Sequence, residues 1–329
     1  MLVEGMVWHR HVVLKIVDKA IGAASAYLFW PDTSRSAPTF EHSTLSPAHF
    51  TPVTVVASEP CSEESHRMIT LKLPKESIPP LETSALQPIW SIFIKDDDIQ
   101  VERPYTPLDG FDDNGCMRFW IKKYPRGEVG RWLHSKQPGE KIEIRGPLKT
   151  WPWQDGIWDE VVMISGGTGF APFHQLLHRL LLSSQIPPTK TRFTLLHSSR
   201  VPAELPPAEL LTPLKSFARS HPEALRLSLF VDTLGDGPAQ EHELRVKRID
   251  KHDILAALGR TEHKPWWKSL FSSSSTASPD NTKKVLFLVC GPEPMIAAIA
   301  GPFGRNLSQG AVGGYLGEIG MNKDQVWKL

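Results

Sequence analysis

Between positions 51 and 147 the chain reads as short runs in which apolar and polar residues alternate. Pro52–Ala57 alternates around Val53, Val55 and Val56, and His66–Pro74 sets Ile69, Leu71 and Leu73 against Met68, Thr70 and Lys72. Ile89–Lys95 and Ile99–Pro107 flank Asp96-Asp97-Asp98, a turn signal between two strands. Met117–Lys123 and Lys141–Ile144 continue the set. A period of two puts alternate side chains on one face, so each run predicts a half-buried strand. Strands this short and this close predict an antiparallel β-barrel over 48–150, with Glu128–Ser135 as its one helix.

From Trp158 onward strands alternate with helices. Val161–Ile164, Arg192–His197, Arg226–Val231 and Val285–Val289 read as buried strands. Pro172–Leu182, Glu209–Ser220, Lys251–Leu258 and Met295–Ala300 read as helices. This predicts an α/β doubly wound parallel sheet over 151–329. Its most informative stretch is Val161–Leu182: apolar strand, then Ser165-Gly166-Gly167-Thr168-Gly169, then an apolar helix with Pro172 near its start. A turn without bulky side chains lets backbone N–H groups approach a ligand, and the helix behind it aims its positive end at the same place. Taken alone, the stretch is either a phosphate cradle or an ordinary strand-to-helix turn. Pro172 stands where a dinucleotide fingerprint would have a third glycine, and proline is tolerated in a first helical turn.

The remaining segments add less. Residues 31–50 are rich in Pro, Ser and Thr, so 1–47 is assigned as N-terminal segment and linker. Within it 12–30 is mostly apolar, interrupted by Lys15, Asp18 and Lys19. The uncharged part, 20–30, is shorter than the roughly 20 residues a spanning helix needs. An ordinary soluble helix and a shortened membrane anchor or targeting remnant both fit. The basic, Ser-rich stretch 260–284 shows no period and is expected to be a flexible insertion. A formal net charge of +1 leaves no electropositive footprint, so no nucleic-acid partner is expected. Three widely spaced cysteines form neither a disulfide framework nor a zinc site, and no iron–sulfur or haem ligand set is visible.

Four further stretches carry chemistry. Arg103-Pro104-Tyr105-Thr106 ends a barrel strand with a guanidinium suited to phosphate, a ring face and a hydroxyl. Tyr124–Leu133 is a turn through Gly127, Glu128 and Val129 into a helix N-terminus, and Lys141–Pro147 returns as a strand ending Gly-Pro. Val285–Met295 is an apolar strand ending at Cys290-Gly291-Pro292, where open α/β sheets bind ligands.

In this order, Arg103–Thr106, the turn at 127–129, Ile144–Pro147, Gly166–Pro172, Cys290–Met295 and the ending Val326–Leu329 resemble the ferredoxin–NADP reductase superfamily, in its NADH–cytochrome b5 reductase-like branch. The resemblance covers about 50–329 and implies an FAD-binding barrel followed by an NAD(P)-binding domain. It implies that Arg103 holds the FAD pyrophosphate, Tyr105, with Pro104, the flavin and ribityl region, and Thr106 the vicinity of flavin N5. The backbone of Gly127, Glu128 and Val129 would cover the pyrophosphate. Gly166, Gly167, Thr168, Gly169 and Pro172 would cradle the phosphates of NADH or NADPH, with Lys122 near the nucleotide. Cys290, Gly291 and Pro292 would approach the nicotinamide, Cys290 beside the hydride path. Electrons would pass to an external acceptor, a haem or haem protein; a flavin reductase with another acceptor, and an assembly or import factor with weak or no activity, are the alternatives.

Two departures stand out. Gly130 occupies a position where the family has Ser or Thr, which would remove one side-chain bond to FAD. After the second nucleotide-domain strand comes His197-Ser198-Ser199-Arg200, with no acid for a ribose 2′-hydroxyl; Glu204 comes later, and Arg200 is free to take a 2′-phosphate. Trp151-Pro152-Trp153, the Pro-rich Arg200–Leu211 and Gly313–Gly320 are similar to fungal mitochondrial cytochrome c import or haem-attachment reductases. That similarity implies the mitochondrial inner membrane or intermembrane space; another membrane or the cytoplasm is the alternative.

Overall fold

The structure, a computed structural model, describes residues 37–80, 86, 88–96, 100–183, 190–235, 244–259 and 283–329. Met1–Pro38 and Thr39–Leu329 are separate units, and of the first only Ala37 and Pro38 are described. The apolar run 12–30, Asp97 and Asp98 of the expected turn, and the expected insertion apart from Lys283 and Lys284 lie outside the described residues. Among the described residues no helix is long and apolar enough to cross a membrane.

The first sheet contains β1 (Thr51–Pro60), β2 (His66–Lys72), β3 (Ile89–Lys95), β4 (Glu102–Tyr105), β5 (Cys116–Lys122) and β6 (Lys141–Trp151). Their order is β4-β3-β6-β1-β2-β5, and every pairing is antiparallel. The alternation in sequence becomes a buried face: Val53, Val55, Ile69, Leu71, Ile92, Ile94, Phe119 and Ile121 share one apolar cluster. Val56 takes the outward position after buried Val55 and is 38% exposed, and a register shift between Val55 and Ala57 leaves it as the extra residue of a bulge. Helix α1 (Glu128–Ser135) adds Val129, Trp132 and Leu133 to the same cluster.

The second sheet contains β7 (Glu160–Gly166), β8 (Arg192–Ser199), β9 (Leu225–Val231), β10 (Leu244–Val246), β11 (Val285–Cys290) and β12 (Val326–Lys328). Their order is β10-β9-β8-β7-β11-β12, all parallel. Helices α2 (Ala171–Leu177), α3 (Ala208–Ser220), α4 (Lys251–Ala257), α5 (Glu293–Ala300) and α6 (Gly314–Glu318) connect them. Both faces are buried. Val161 and Met163 enter one cluster while Val162 and Ile164 enter another, which is why β7 reads as a continuous apolar run. Strand order reverses around β7, with β8 on one side and β11 on the other, so a crevice opens at the carboxyl ends of β7 and β11. The expected helix Pro172–Leu182 is α-helical only over Ala171–Leu177 and widens into a π-helical turn over His178–Leu182.

The two sheets are joined through α2. All seven of its residues are buried. One apolar cluster contains Met68, Ile89, Leu108, Trp120 and Trp151 from the first sheet's segment together with Phe170, Phe173, Leu176 and Leu177 around α2. Three polar contacts fix the register. The backbone N–H of Trp90 in β3 donates to Gln175 Oε1 at 2.8 Å, His174 Nδ1 lies 3.1 Å from the carbonyl of Leu108, and Arg179 donates to the carbonyl of Leu86 at 2.6 Å. Leu108 lies two residues beyond Thr106, so this seam ties the Arg103–Thr106 strand end to the helix behind the glycine turn. Gln175→Leu strands the buried Trp90 N–H and is expected to cost about 1–3 kcal/mol. Urea unfolding checks this; an unchanged midpoint would mean the bond contributes nothing.

Candidate active site

Two adjoining clefts meet at the crevice. The smaller, about 460 Å³, lies between Arg103–Thr106 with the N-terminus of α1 on one wall and the glycine turn with Cys290-Gly291-Pro292 on the other. The larger, about 1020 Å³, is lined by Lys122, Gly167, Arg200, Glu204 and Met295, and shares Gly166, Lys122 and Pro292 with the first. Every residue that the sequence nominated falls on these walls. Gly167 and Arg200 face the larger cleft alone, Lys122, Gly166 and Pro292 face both, and the rest face the smaller.

The smaller cleft offers donors where an anion is expected. Arg103 and Pro104 are exposed, and among the described residues the Arg103 guanidinium donates only to the adjacent carbonyl of Glu102, at 2.8 Å. Helix α1 has no side-chain cap at Gly127, which leaves its first N–H groups, at Glu128, Val129 and Gly130, facing the cleft. Tyr105 and Thr106 are half-buried; burial pushes the Tyr105 phenol up to about 12, so it stays a neutral donor. An uncapped helix start beside a guanidinium, with a neutral phenol next to them, fits a dinucleotide's pyrophosphate and a ring system. Gly130 has a local reason: a Cβ there would stand 3.0 Å from the carbonyl oxygen of Lys122.

The glycine turn is tighter than expected. A 3₁₀ turn over Gly167–Phe170 separates β7 from α2. Gly167 has φ +53° with nothing near its missing Cβ, so it is the position left open to a ligand. Gly169 is different, because a Cβ there would lie 2.5 Å from the carbonyl oxygen of Cys290. A Cβ on Gly291 would in turn stand 3.0 Å from the backbone N of Gly166. The two turns therefore pack backbone against backbone. Cys290 is half-buried and lines the smaller cleft, and burial pushes its thiol up to about 12. It is a protonated thiol at neutral pH, neither a base nor a thiolate nucleophile.

Both cations offered to the nucleotide are already engaged. Lys122 Nζ lies 3.1 Å from Glu204 Oε2, with side chains only 10% and 8% exposed. Arg200 binds the same carboxylate, through Nη2 to Oε1 and through Nε to Oε2 at 3.2 Å. Burial opposes ionisation of Glu204, but hydrogen bonds from Arg200 and Lys122 outweigh it and hold the carboxyl below its ordinary range.

Beneath the turn runs a buried polar chain absent from the sequence expectations. Ser165 and His197 are register partners on β7 and β8, with Ser165 Oγ 2.8 Å from His197 Nδ1. His197 Nε2 lies 3.2 Å from Ser199 Oγ, and Ser199 Oγ donates to the carbonyl of Glu204 at 3.1 Å. Since the Ser199 proton is used on that carbonyl, His197 must donate from Nε2 and accept at Nδ1 from Ser165. The imidazole is neutral, and burial pushes its pKa down to about 3. His66, stacked on Trp120 at 5.1 Å, is pushed down to about 4 by burial and then by Lys122. Both rings bind fewer protons folded than unfolded below the ordinary histidine pKa of about 6.5. Stability is therefore expected to fall as pH drops from about 6.5 toward 4, with a shallower slope in His197→Gln; urea midpoints across that range provide the check.

Comparison with known proteins agrees with this geometry. The oxidoreductase FAD-binding domain matches residues 53–153, and the oxidoreductase NAD-binding domain matches 163–301. NADH-cytochrome b5 reductase 2 of Scheffersomyces stipitis is 26% identical over 84% of this chain and 82% of its own length. The cytochrome c mitochondrial import factor of Saccharomyces cerevisiae is 28% identical over 94% of this chain and 89% of its own. In fold, the cytochrome b5 reductase domain of Ulva prolifera nitrate reductase superposes with a TM-score of 0.61 at 17% identity, covering 87% of this chain and all of that one. A ferredoxin NADP+ reductase from Neisseria gonorrhoeae superposes at 0.55 and 15% identity, over 85% of this chain and 98% of that one. An antiparallel six-stranded sheet and a parallel six-stranded sheet with helices match the fold of those structures, and the chain belongs to the ferredoxin reductase family as a flavoprotein reductase with FAD- and NAD(P)-binding domains.

Proposed function

We propose that the chain oxidises NADH and passes the electrons to an external haem or haem protein. The observation that carries this reading is the cleft in which Arg103–Thr106 faces Gly166, Thr168, Gly169 and Cys290–Pro292 across a buried seam. FAD held there would supply the redox chemistry between the nicotinamide and the acceptor. The chain's own residues bind and orient. Arg103 and the first N–H groups of α1 would hold the flavin dinucleotide's phosphates. Tyr105 presents a ring face and a neutral hydroxyl, and Thr106 a hydroxyl at the cleft wall. Gly167 would admit the nicotinamide nucleotide's phosphates to the backbone, and Cys290 would offer a neutral thiol to the nicotinamide. None of these groups has to move a proton, so proximity and alignment are the protein's main contribution.

The choice of NADH and of a haem acceptor is supported by the printed names of the relatives, which are NADH-cytochrome b5 reductases and a cytochrome c import factor. The second of these names also supports placement in mitochondria. It equally favours a second reading, in which the fold serves cytochrome c import with little reductase activity.

The visible spectrum of the purified protein, before and after NADH, separates the two readings. Flavin bands that bleach with NADH and recover with a haem acceptor are expected; protein that stays colourless after FAD is added rules out the enzyme. Arg103→Ala is expected to lower FAD retention roughly tenfold or more through loss of a charge-assisted contact. Equal flavin content in mutant and wild type would remove Arg103 from the site. Cys290→Ser is expected to slow flavin reduction in stopped flow while FAD stays bound, and equal rates would reduce Cys290 to packing.

A further inference from the structure

Beyond Thr106 the chain leaves the smaller cleft as a stiff arm. Pro107 fixes its own φ and restricts Thr106 before it to extended backbone. With those dihedrals taken, the grip on residues 108 and 109 also sets how Thr106 stands in the cleft wall.

That grip comes from both sheets. The Leu108 N–H donates to the carbonyl of Arg118 in β5 at 2.9 Å, and the Leu108 carbonyl lies 3.1 Å from His174 Nδ1 in α2. Asp109 Oδ2 accepts from Arg118 Nε at 2.7 Å and from its Nη2, while Oδ1 lies 3.5 Å from the same His174 nitrogen. A carbonyl can only accept, so His174 Nδ1 carries a proton. The ring is buried, its side chain 3% exposed, and burial pushes its pKa down against the pull of Asp109 and the Leu108 carbonyl. A neutral imidazole has one N–H to give, and an acceptor-only carboxylate beside Nδ1 favours the tautomer that places it there. Asp109 thereby keeps the His174–Leu108 bond made.

We propose that Asp109 is a positioning residue for flavin reduction: by joining Arg118 of the first sheet to His174 of the helix behind the glycine turn, it fixes Thr106 relative to that turn. This role rests on the reading of the smaller cleft given above. Asp109 lines neither cleft, so it acts through Leu108 and Pro107 and not on a ligand. Gln175 and Arg179 hold the seam elsewhere, at Trp90 and Leu86, so cutting the Asp109 link shifts the arm without parting the sheets. Shifts of about an ångström are enough to slow a reaction that depends on alignment.

Two measurements test this on the FAD-loaded protein. Ring ¹⁵N chemical shifts report which nitrogen of His174 is protonated. Wild type is expected to show Nδ1–H, and Asp109→Asn, which keeps the shape but can turn an amide N–H toward the ring, is expected to lose that preference. Stopped-flow reduction by NADH separates the limiting rate from the nucleotide's dissociation constant. In Asp109→Asn the limiting rate is expected to fall at least about tenfold, with the dissociation constant and flavin content within about twofold of wild type. His174→Leu cuts the same link from its other end, so the double variant is expected to be no slower than the slower single one, and His174→Leu carries the kinetic test alone if Asp109→Asn loses FAD. A wild-type ring protonated at Nε2, an unchanged limiting rate, a change confined to the dissociation constant, losses that add in the double variant, or loss of FAD from both single variants overturns the inference alone. A wild type whose flavin NADH does not reduce overturns the proposed function and the inference with it.

Discussion

Holding two ligand-binding turns from different sheets at a fixed separation is the constraint on which the rest of this structure depends. A flexible hinge would let the Arg103–Thr106 strand end and the glycine turn drift, and alignment between reacting partners is sensitive to shifts of about an ångström. The seam meets this demand with a helix buried on every side. Phe170, Phe173, Leu176 and Leu177 pack into a cluster that contains Trp120 and Ile89 of the other sheet, so separating the sheets would expose a core. The Gln175–Trp90 bond then selects one register from the many that apolar packing alone would tolerate.

Electrostatics at the site follow from burial as much as from composition. The chain is nearly neutral, yet the larger cleft collects opposite charges that are mostly satisfied locally. Glu204 can remain ionised at 8% exposure because two cations reach it from different sheets, Lys122 from β5 and Arg200 from the end of β8. Neutral His197 and the neutral Cys290 thiol make the opposite case: with no partner charge, burial keeps each in its uncharged form.

What could be read in advance divides along physical lines. Period-two runs in the first sheet and the strand–helix alternation in the second reflect burial of whole faces, and both architectures were legible from them. The glycine turn and Cys290-Gly291-Pro292 were legible because special backbone needs leave special residues. The three-residue strands β10 and β12 carry too few positions to show a period, and apolar continuity from Ala171 to Leu182 hid the change from α to π turn. Glu204 was visible only as a residue too distant for its expected role, since its partnership with Lys122 spans two sheets. The Ser165–His197–Ser199 chain depends on strand register, which no local pattern encodes.

The backbone contact between Gly169 and Cys290 has an evolutionary corollary. Where main chain rests on main chain, no side chain is present to absorb a change, so the two turns have no independent route of sequence drift. Altering the shape at one end of the nucleotide would require compensating changes in the turn at the other end, from a strand more than a hundred residues away. Diversification of such an enzyme is thereby channelled toward the outer walls, where side chains such as those of Arg200 and Glu204 can be exchanged one at a time.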